Sequence, residues 1–321
     1  MTPPFRILSL DGGGIMGSFA ASVLATFERA TGRRIVEHFD LITGTSTGGI
    51  IAIGLAMGVD AEEIGSFYQT HGPRIFPRPS RRGRWNGWAR GARSLFRPKF
   101  AAGPLRAAVE SVVGARPLKE ARTRLVIPSY DVNTGKVYLF KTPHHLNYRH
   151  HADLPAVDAA LATSAAPTYF PAHVIEGRGT FIDGGLWANN PAMVGLIEAL
   201  DFLGQPPERI KMLSIGVTSY PFGLDDPAKL RGVFGWLPKL TDTFLFGQAQ
   251  AAQNGAFCLL KRGLFHRVDY LVPPTKFTMD NSQCVGDLIA MGRQIAELNE
   301  NLSVVKEHFL NGTPIEPFRQ P

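Results

Sequence analysis

The chain has 321 residues, 44% hydrophobic and 19% charged, which is enough apolar material for one large domain and too little charge for a disordered chain. Its 34 Lys and Arg against 27 Asp and Glu give a net charge of +7, which raises nucleic acid or a membrane as a partner. The excess is local: Ile64 to Val109 holds ten basic residues and no acidic one, whereas the rest of the chain carries 24 basic against 27 acidic. Two cysteines, Cys258 and Cys284, exclude a disulfide scaffold and do not supply a zinc cluster. The N-terminus has no basic start ahead of a long apolar run, so no secretory signal is expected. Leu41 to Val59 is free of charge for 19 residues, but Thr43, Thr45, Ser46 and Thr47 crowd its first half and favour a buried helix over a bilayer span. A soluble, cytoplasmic protein is the expectation.

In chain order, Arg6 to Leu10 reads as a buried strand that ends on Asp11-Gly12-Gly13-Gly14, and Ser18 to Ala30 has helix spacing. Phe39 to Thr43 is a second strand, followed by Gly44-Thr45-Ser46-Thr47-Gly48-Gly49 and an apolar helix from Ile50. Asp60 to Tyr68 is a helix with Asp60 as its cap and Glu63 three residues on. Two strand–loop–helix units in succession predict α/β packing. Gly72 to Pro104, rich in Pro and Gly, reads as a long loop or lid. Thr123 to Tyr130 and Val137 to Phe140 form a hairpin, Val157 to Ala165 a small-residue helix, Thr180 to Asp183 a strand ending on Asp183-Gly184-Gly185. Met193 to Leu203 is a helix behind Pro191, and Lys211 to Ile215 a core strand. The last third predicts helices over Thr241 to Leu260 and Ser282 to Phe309, the second capped by Asn281, with a strand at Val268 to Val272 between them. No repeat or linker divides the chain, which predicts a single domain over residues 1–321.

Gly44-x-Ser46-x-Gly48 between a strand and a helix suits a nucleophilic serine on a tight turn, with the helix dipole favouring developing negative charge. A plain helix cap would use the same residues. The glycines Gly12, Gly13 and Gly14 after a strand suit an anion cradle, an oxyanion hole or merely a tight turn. Gly12, Gly14 and Gly17 also have dinucleotide-loop spacing, with Glu28 or Glu37 as the acidic ribose contact, though that leaves the serine without a task. Serine needs a base, and Asp183 serves only if its site is partly desolvated. For a triad, His266 and His308 are the histidines after Asp183, and neither stands in a motif. The pairs His144-His145 and His150-His151 have no coherent ligand partners and suggest surface or turn roles.

With these blocks in this order, the chain resembles the patatin-like phospholipases. The match rests on Asp11-Gly-Gly-Gly14, Gly44-Thr-Ser46-Thr-Gly48 and Asp183-Gly184, together with Ala162-Thr-Ser-Ala-Ala-Pro167-Thr-Tyr-Phe-Pro171 ahead of the aspartate, spanning residues 5 to about 200. The resemblance implies a three-layer α/β/α sandwich around a mostly parallel sheet; the residues' own pattern adds the basic loop or lid at 72–104 and a helical C-terminal part at 241–312. It implies a catalytic Ser46–Asp183 dyad without histidine, an acyl-serine intermediate, an oxyanion hole at Gly12, Gly13 and Gly14, and no metal or cofactor. One departure is Met16, where the family often carries Arg or Lys. The chain is most similar to the bacterial branch of cyclic-nucleotide-activated (CBASS anti-phage effector) phospholipases. That branch implies a cyclic di- or trinucleotide ligand, membrane phospholipid substrate and action at the inner face of the cell membrane, with a homo-oligomer as a candidate state. A constitutive lysophospholipase or esterase, a lipid transacylase and a non-catalytic nucleotide-sensing membrane binder are the alternatives.

The basic segment interleaves arginines with Phe76, Trp85, Trp88 and Phe96. Arg81, Arg82, Arg84, Trp85 and Trp88 suit a lipid headgroup layer, or the phosphates and bases of a nucleotide activator, or only a solvated loop. Duplex nucleic acid fits poorly because no recognition helix accompanies the charge.

Overall fold

The computed structural model describes residues 3–77, 97–218, 232–260, 264–273, 276–315 and 317–318, and side chains of the helix that opens at Gly232 are described only for 240 and from 243 on. In chain order the elements are β1 (Phe5–Leu10), α1 (Gly17–Thr31), β2 (Leu41–Gly44), α2 (Thr47–Ala56), α3 (Ala61–Ile75) and α4 (Ala102–Val113). Next come β3 (Arg124–Asp131), β4 (Lys136–Lys141), α5 (Ala156–Ser164), β5 (His173–Ile175), β6 (Gly179–Asp183), α6 (Gly185–Ala188) and α7 (Ala192–Ile197). The chain continues through β7 (Ile210–Ile215), α8 (Gly232–Leu260), β8 (Phe265–Val268), α9 (Val285–Glu297) and α10 (Asn299–Val305).

The strands form one sheet in the order β5-β6-β3-β2-β1-β7-β8, with β4 on β3. From β3 to β8 all neighbours on this path are parallel, while β4 and β6 run against β3. Successive residues of the central strands enter opposite cores. Leu8, Leu10, Leu213 and Ile215 pack with α1, α2, α3 and α9, whereas Phe5, Ile7, Ile210 and Met212 pack with α7 and α8 through Ala192, Leu196, Ala256 and Leu260. Burial on both faces explains why these strands read as continuous apolar runs, and it makes the fold three layers deep.

Strand β3 decides where the site forms. Strand β4 lies along one of its edges from Val126 to Asp131, so β2 and β6 must share the other. Thr43 of β2 pairs with Val126 and Asp183 of β6 pairs with Ser129, so the two strands run head-on and their C-terminal ends meet beside Ile127 and Pro128. The segments that follow both strands are thereby delivered to one point at the C-terminal end of the parallel strands, where open α/β sheets bind ligands.

Some expected elements shift. Helix α3 runs through Pro73 to Ile75 and α4 opens at Ala102, so Gly72 to Pro104 is helical at both ends, while 78–96 lies outside the described residues. The helix expected at Thr241 begins at Gly232. The long helix expected over Ser282 to Phe309 breaks at Leu298, whose ψ of 133° is extended, and Asn301 Nδ2 donates to the Ile295 carbonyl (2.8 Å). The expected strand at Val268 to Val272 is instead Phe265–Val268, fixed by parallel pairing with Met212 to Ile215 of β7. Among the described residues no helix is long and apolar enough to cross a membrane.

Candidate active site

Ser46 stands between β2 and α2 with φ 54° and ψ −121°, a conformation that costs a non-glycine residue energy and lifts its side chain clear of the sheet. The turn is tight because the start of α2 rests on the end of β1: a Cβ on Gly48 would lie 2.3 Å from the Leu10 carbonyl oxygen, so only glycine fits there. The Ser46 N–H donates to Thr163 Oγ1 (3.0 Å), and Thr163 Oγ1 donates in turn to the Pro128 carbonyl (2.5 Å). Thr163 thus fills the gap that the head-on strands leave beside β3.

The Ser46 hydroxyl donates to Asp183 Oδ2 at 2.7 Å, and the Gly185 N–H donates to Asp183 Oδ1 at 2.7 Å. Asp183 is buried, and loss of solvent pushes its carboxyl up to about 6 although both hydrogen bonds pull the other way. A carboxylate of ordinary acidity is a poor base for a hydroxyl, and this one is better matched to neutral pH.

The loop after β1 lies against the serine: a Cβ on Gly12 would stand 3.3 Å from Ser46 Cβ. The Gly12 N–H donates to the Asn189 carbonyl (2.9 Å), which removes it from the expected set of oxyanion donors. Gly13 and Gly14 carry N–H groups that take no acceptor among the described residues. The Ile15 N–H donates to the Met279 carbonyl (2.8 Å) and closes the far side of the loop. Met16 is buried, with Thr218 Oγ1 donating to its sulfur (3.7 Å), so it faces the loop after β7.

Residues without a motif complete the arrangement. Asn189 Nδ2 donates to the Gly12 carbonyl (3.4 Å), which ties the glycine loop to the turn after Asp183. Gln248 of α8 receives the Asn189 N–H (3.1 Å) and donates to the Gly185 carbonyl (2.7 Å). Thr163 and Asn189 lie within or just beyond recognisable blocks, but nothing local in the sequence marks Gln248. Arg81, Arg82, Arg84, Trp85 and Trp88 lie outside the described residues.

The histidines and Glu28 serve elsewhere. His266 Nε2 is hydrogen-bonded to Asn301 Oδ1 (3.2 Å), and His308 lies in the turn Lys306–Leu310 with its carbonyl accepting from Lys211. His144 and His151 are buried and not at the surface: His144 meets Glu198 (2.9 Å) and His151 meets the Tyr138 hydroxyl (2.8 Å). Among the described residues no group of three or more His, Cys, Asp or Glu could hold a metal ion. Glu28 accepts the N–H groups of Ile35 and Ala61 (both 2.8 Å), a structural task that occupies both of its carboxylate oxygens.

The sequence family described as "Patatin-like phospholipase" matches residues 8–196. The chain belongs to the patatin-like phospholipases. It is therefore a lipid-hydrolysing enzyme, and the elbow, glycine loop and aspartate turn all fall within the matched residues. Among other patatin-like phospholipases, a protein of Escherichia coli (strain TW11681) named cGAMP-activated phospholipase is 43% identical, covering 99% of this chain and 96% of its own. Proteins of the same name from Vibrio cholerae serotype O1 and Pseudomonas aeruginosa (strain BWHPSA011 / Pa011) are 35% and 33% identical. These matches cover 91% and 99% of this chain and 90% and 92% of the relatives.

Proposed function

We propose that this patatin-like phospholipase cleaves fatty-acyl esters of membrane glycerophospholipids with Ser46 as nucleophile and Asp183 as its base, and that a cyclic dinucleotide switches it on. The observation that carries the catalytic part is the 2.7 Å hydrogen bond from Ser46 Oγ to the buried Asp183. As Ser46 Oγ attacks the ester carbonyl carbon, its proton passes to Asp183 Oδ2, and the carbonyl oxygen becomes an oxyanion facing the Gly13 and Gly14 N–H groups. Collapse of the tetrahedral intermediate breaks the bond to the glycerol oxygen, which leaves with the proton from Asp183. Water then gives its proton to Asp183 and attacks the acyl-serine. The second collapse releases the fatty acid, and the proton returns to Ser46. Every step uses one carboxylate in two roles, so no histidine is needed.

The activation part is supported by the relatives: three proteins 33–43% identical over 91–99% of this chain are each named for activation by cGAMP. The test is incubation of the purified protein with mixed phospholipid vesicles, with and without cGAMP, followed by identification of released fatty acids and lyso-lipids. Release that requires cGAMP supports both parts of the proposal. Equal release without it removes activation and leaves hydrolysis, and transfer of the acyl chain to an alcohol in place of water makes the enzyme a transacylase.

A further inference from the structure

We propose that Arg267 is a positioning residue for the oxyanion loop, an inference that rests on the acyl-serine reading above. Arg267 belongs to β8, in a part of the chain where no motif points to function. Its side chain is largely buried, with Nη2 donating to Asp11 Oδ2 (2.7 Å) and Asp269 Oδ2 (2.8 Å) and Nη1 donating to Ser214 Oγ (2.7 Å). Both carboxylates hold a wall of the glycine loop. Asp11 is the residue that opens it. Asp269 Oδ1 accepts the N–H of Thr218 (3.2 Å), a non-glycine residue held at φ 78° in the turn after β7. In that same turn, Val217 Cγ2 lies 2.5 Å from where a Cβ on Gly13 would stand, so the turn is the surface on which Gly13 rests.

One guanidinium therefore fixes the entry to the loop and the surface beneath it. Two carboxylates sharing one cation in the interior are an expensive way to gain stability, because desolvation of buried ions commonly offsets their attraction. What the bridge does supply is direction. Both carboxylates meet the one nitrogen Nη2, whose two N–H groups diverge in the guanidinium plane while Nη1 holds Ser214, and this planar anchoring sets the distance between Asp11 and Asp269 and with it the course of the glycine loop. Lysine keeps the charge without the plane or the second nitrogen that holds Ser214.

The test measures Ser46 labelling by a fluorophosphonate, whose phosphoryl oxygen must enter the oxyanion hole, and kcat and KM for a short soluble ester, all with cGAMP present. Arg267→Lys is expected to slow labelling and lower kcat about 10- to 100-fold with KM little changed. Arg267→Met alone leaves the buried Asp11 and the half-buried Asp269 without their cation, so it is paired with Asp11→Asn, and thermal unfolding checks that the double variant is folded. The double variant is expected to lose no more activity than Arg267→Lys or Asp11→Asn alone, because the residues act as one unit. Wild-type labelling rates in folded Arg267 variants would overturn the proposal. Failure of the wild type to be labelled, with hydrolysis surviving Ser46→Ala, would remove the acyl-serine reading and this proposal together.

Discussion

Asp183 is 5% exposed and carries a carboxyl raised from 3.8 to about 6, so the folded protein holds its proton more tightly than the unfolded chain does. The stability this contributes is complete below pH 3.8 and is lost as pH rises through about 6. Above that range the buried carboxylate costs about 3 kcal/mol, at about 1.4 kcal/mol per pH unit. Asp183→Asn keeps the shape and removes the charge. It is expected to abolish hydrolysis while giving a Tm at pH 8 equal to or above that of the wild type, with no such gain at pH 4. A Tm well below wild type at pH 8 would contradict this account. The base must be ionised to accept the Ser46 proton, so kcat/KM should climb as pH rises through about 6. Asp11 is also pushed up to about 6, by burial that outweighs Arg267. The acidic limb should therefore be measured in Asp11→Asn as well, where it persists if it belongs to Asp183.

At the level of elements, the sheet separates two polar clusters. Ser46 and Asp183 lie where β2 and β6 meet, whereas Lys141 closes β4 opposite Val126, toward the start of β3. There Lys141 Nζ meets Glu198 Oε2 (2.5 Å) and the Tyr148 hydroxyl (2.9 Å), and His144 meets Glu198 Oε1 (2.9 Å). Burial raises the Glu198 carboxyl, but hydrogen bonds from His144 and Lys141 outweigh it and hold the group below its ordinary value. Glu198→Ala strands a buried ammonium and is expected to cost about 3–5 kcal/mol of stability, visible as a lower Tm. Activity per folded molecule should stay at the wild-type level, and a selective loss of kcat at full folding would show that the two ends of the sheet are coupled. The same elements explain what the sequence reveals and hides. The strands of the double-faced core are legible because burial on both sides leaves them uniformly apolar. Strand β8 is not, because His266 and Arg267 interrupt it, and the apolar run just downstream draws the eye although Leu271 is 65% exposed. The break at Leu298 depends on a side chain three residues on, which no periodicity reports.

For the whole molecule, the candidate site was legible where it is local: an elbow, a glycine triplet and an aspartate turn are each written in consecutive residues. Thr163, Asn189, Gln248 and Arg267 were not, because each acts by reaching across the fold to a backbone or carboxylate that is distant in sequence. The reading of Gly12 as an oxyanion donor failed for the same reason, since its N–H is claimed by Asn189, 177 residues away. The charge also divides by region. The part of the sequence that holds Ser46 and Asp183 is nearly balanced, and the excess of basic residues lies between Ile64 and Val109. The central claim is that one serine and one aspartate, without histidine, hydrolyse phospholipid. The most direct measurement is fatty-acid release from phospholipid vesicles in the presence of cGAMP, comparing the wild type with folded Ser46→Ala and Asp183→Asn. Release by the wild type and loss of at least about 1,000-fold in both variants is the result expected of a residue pair that works as a unit; release at the wild-type rate in either variant would contradict it.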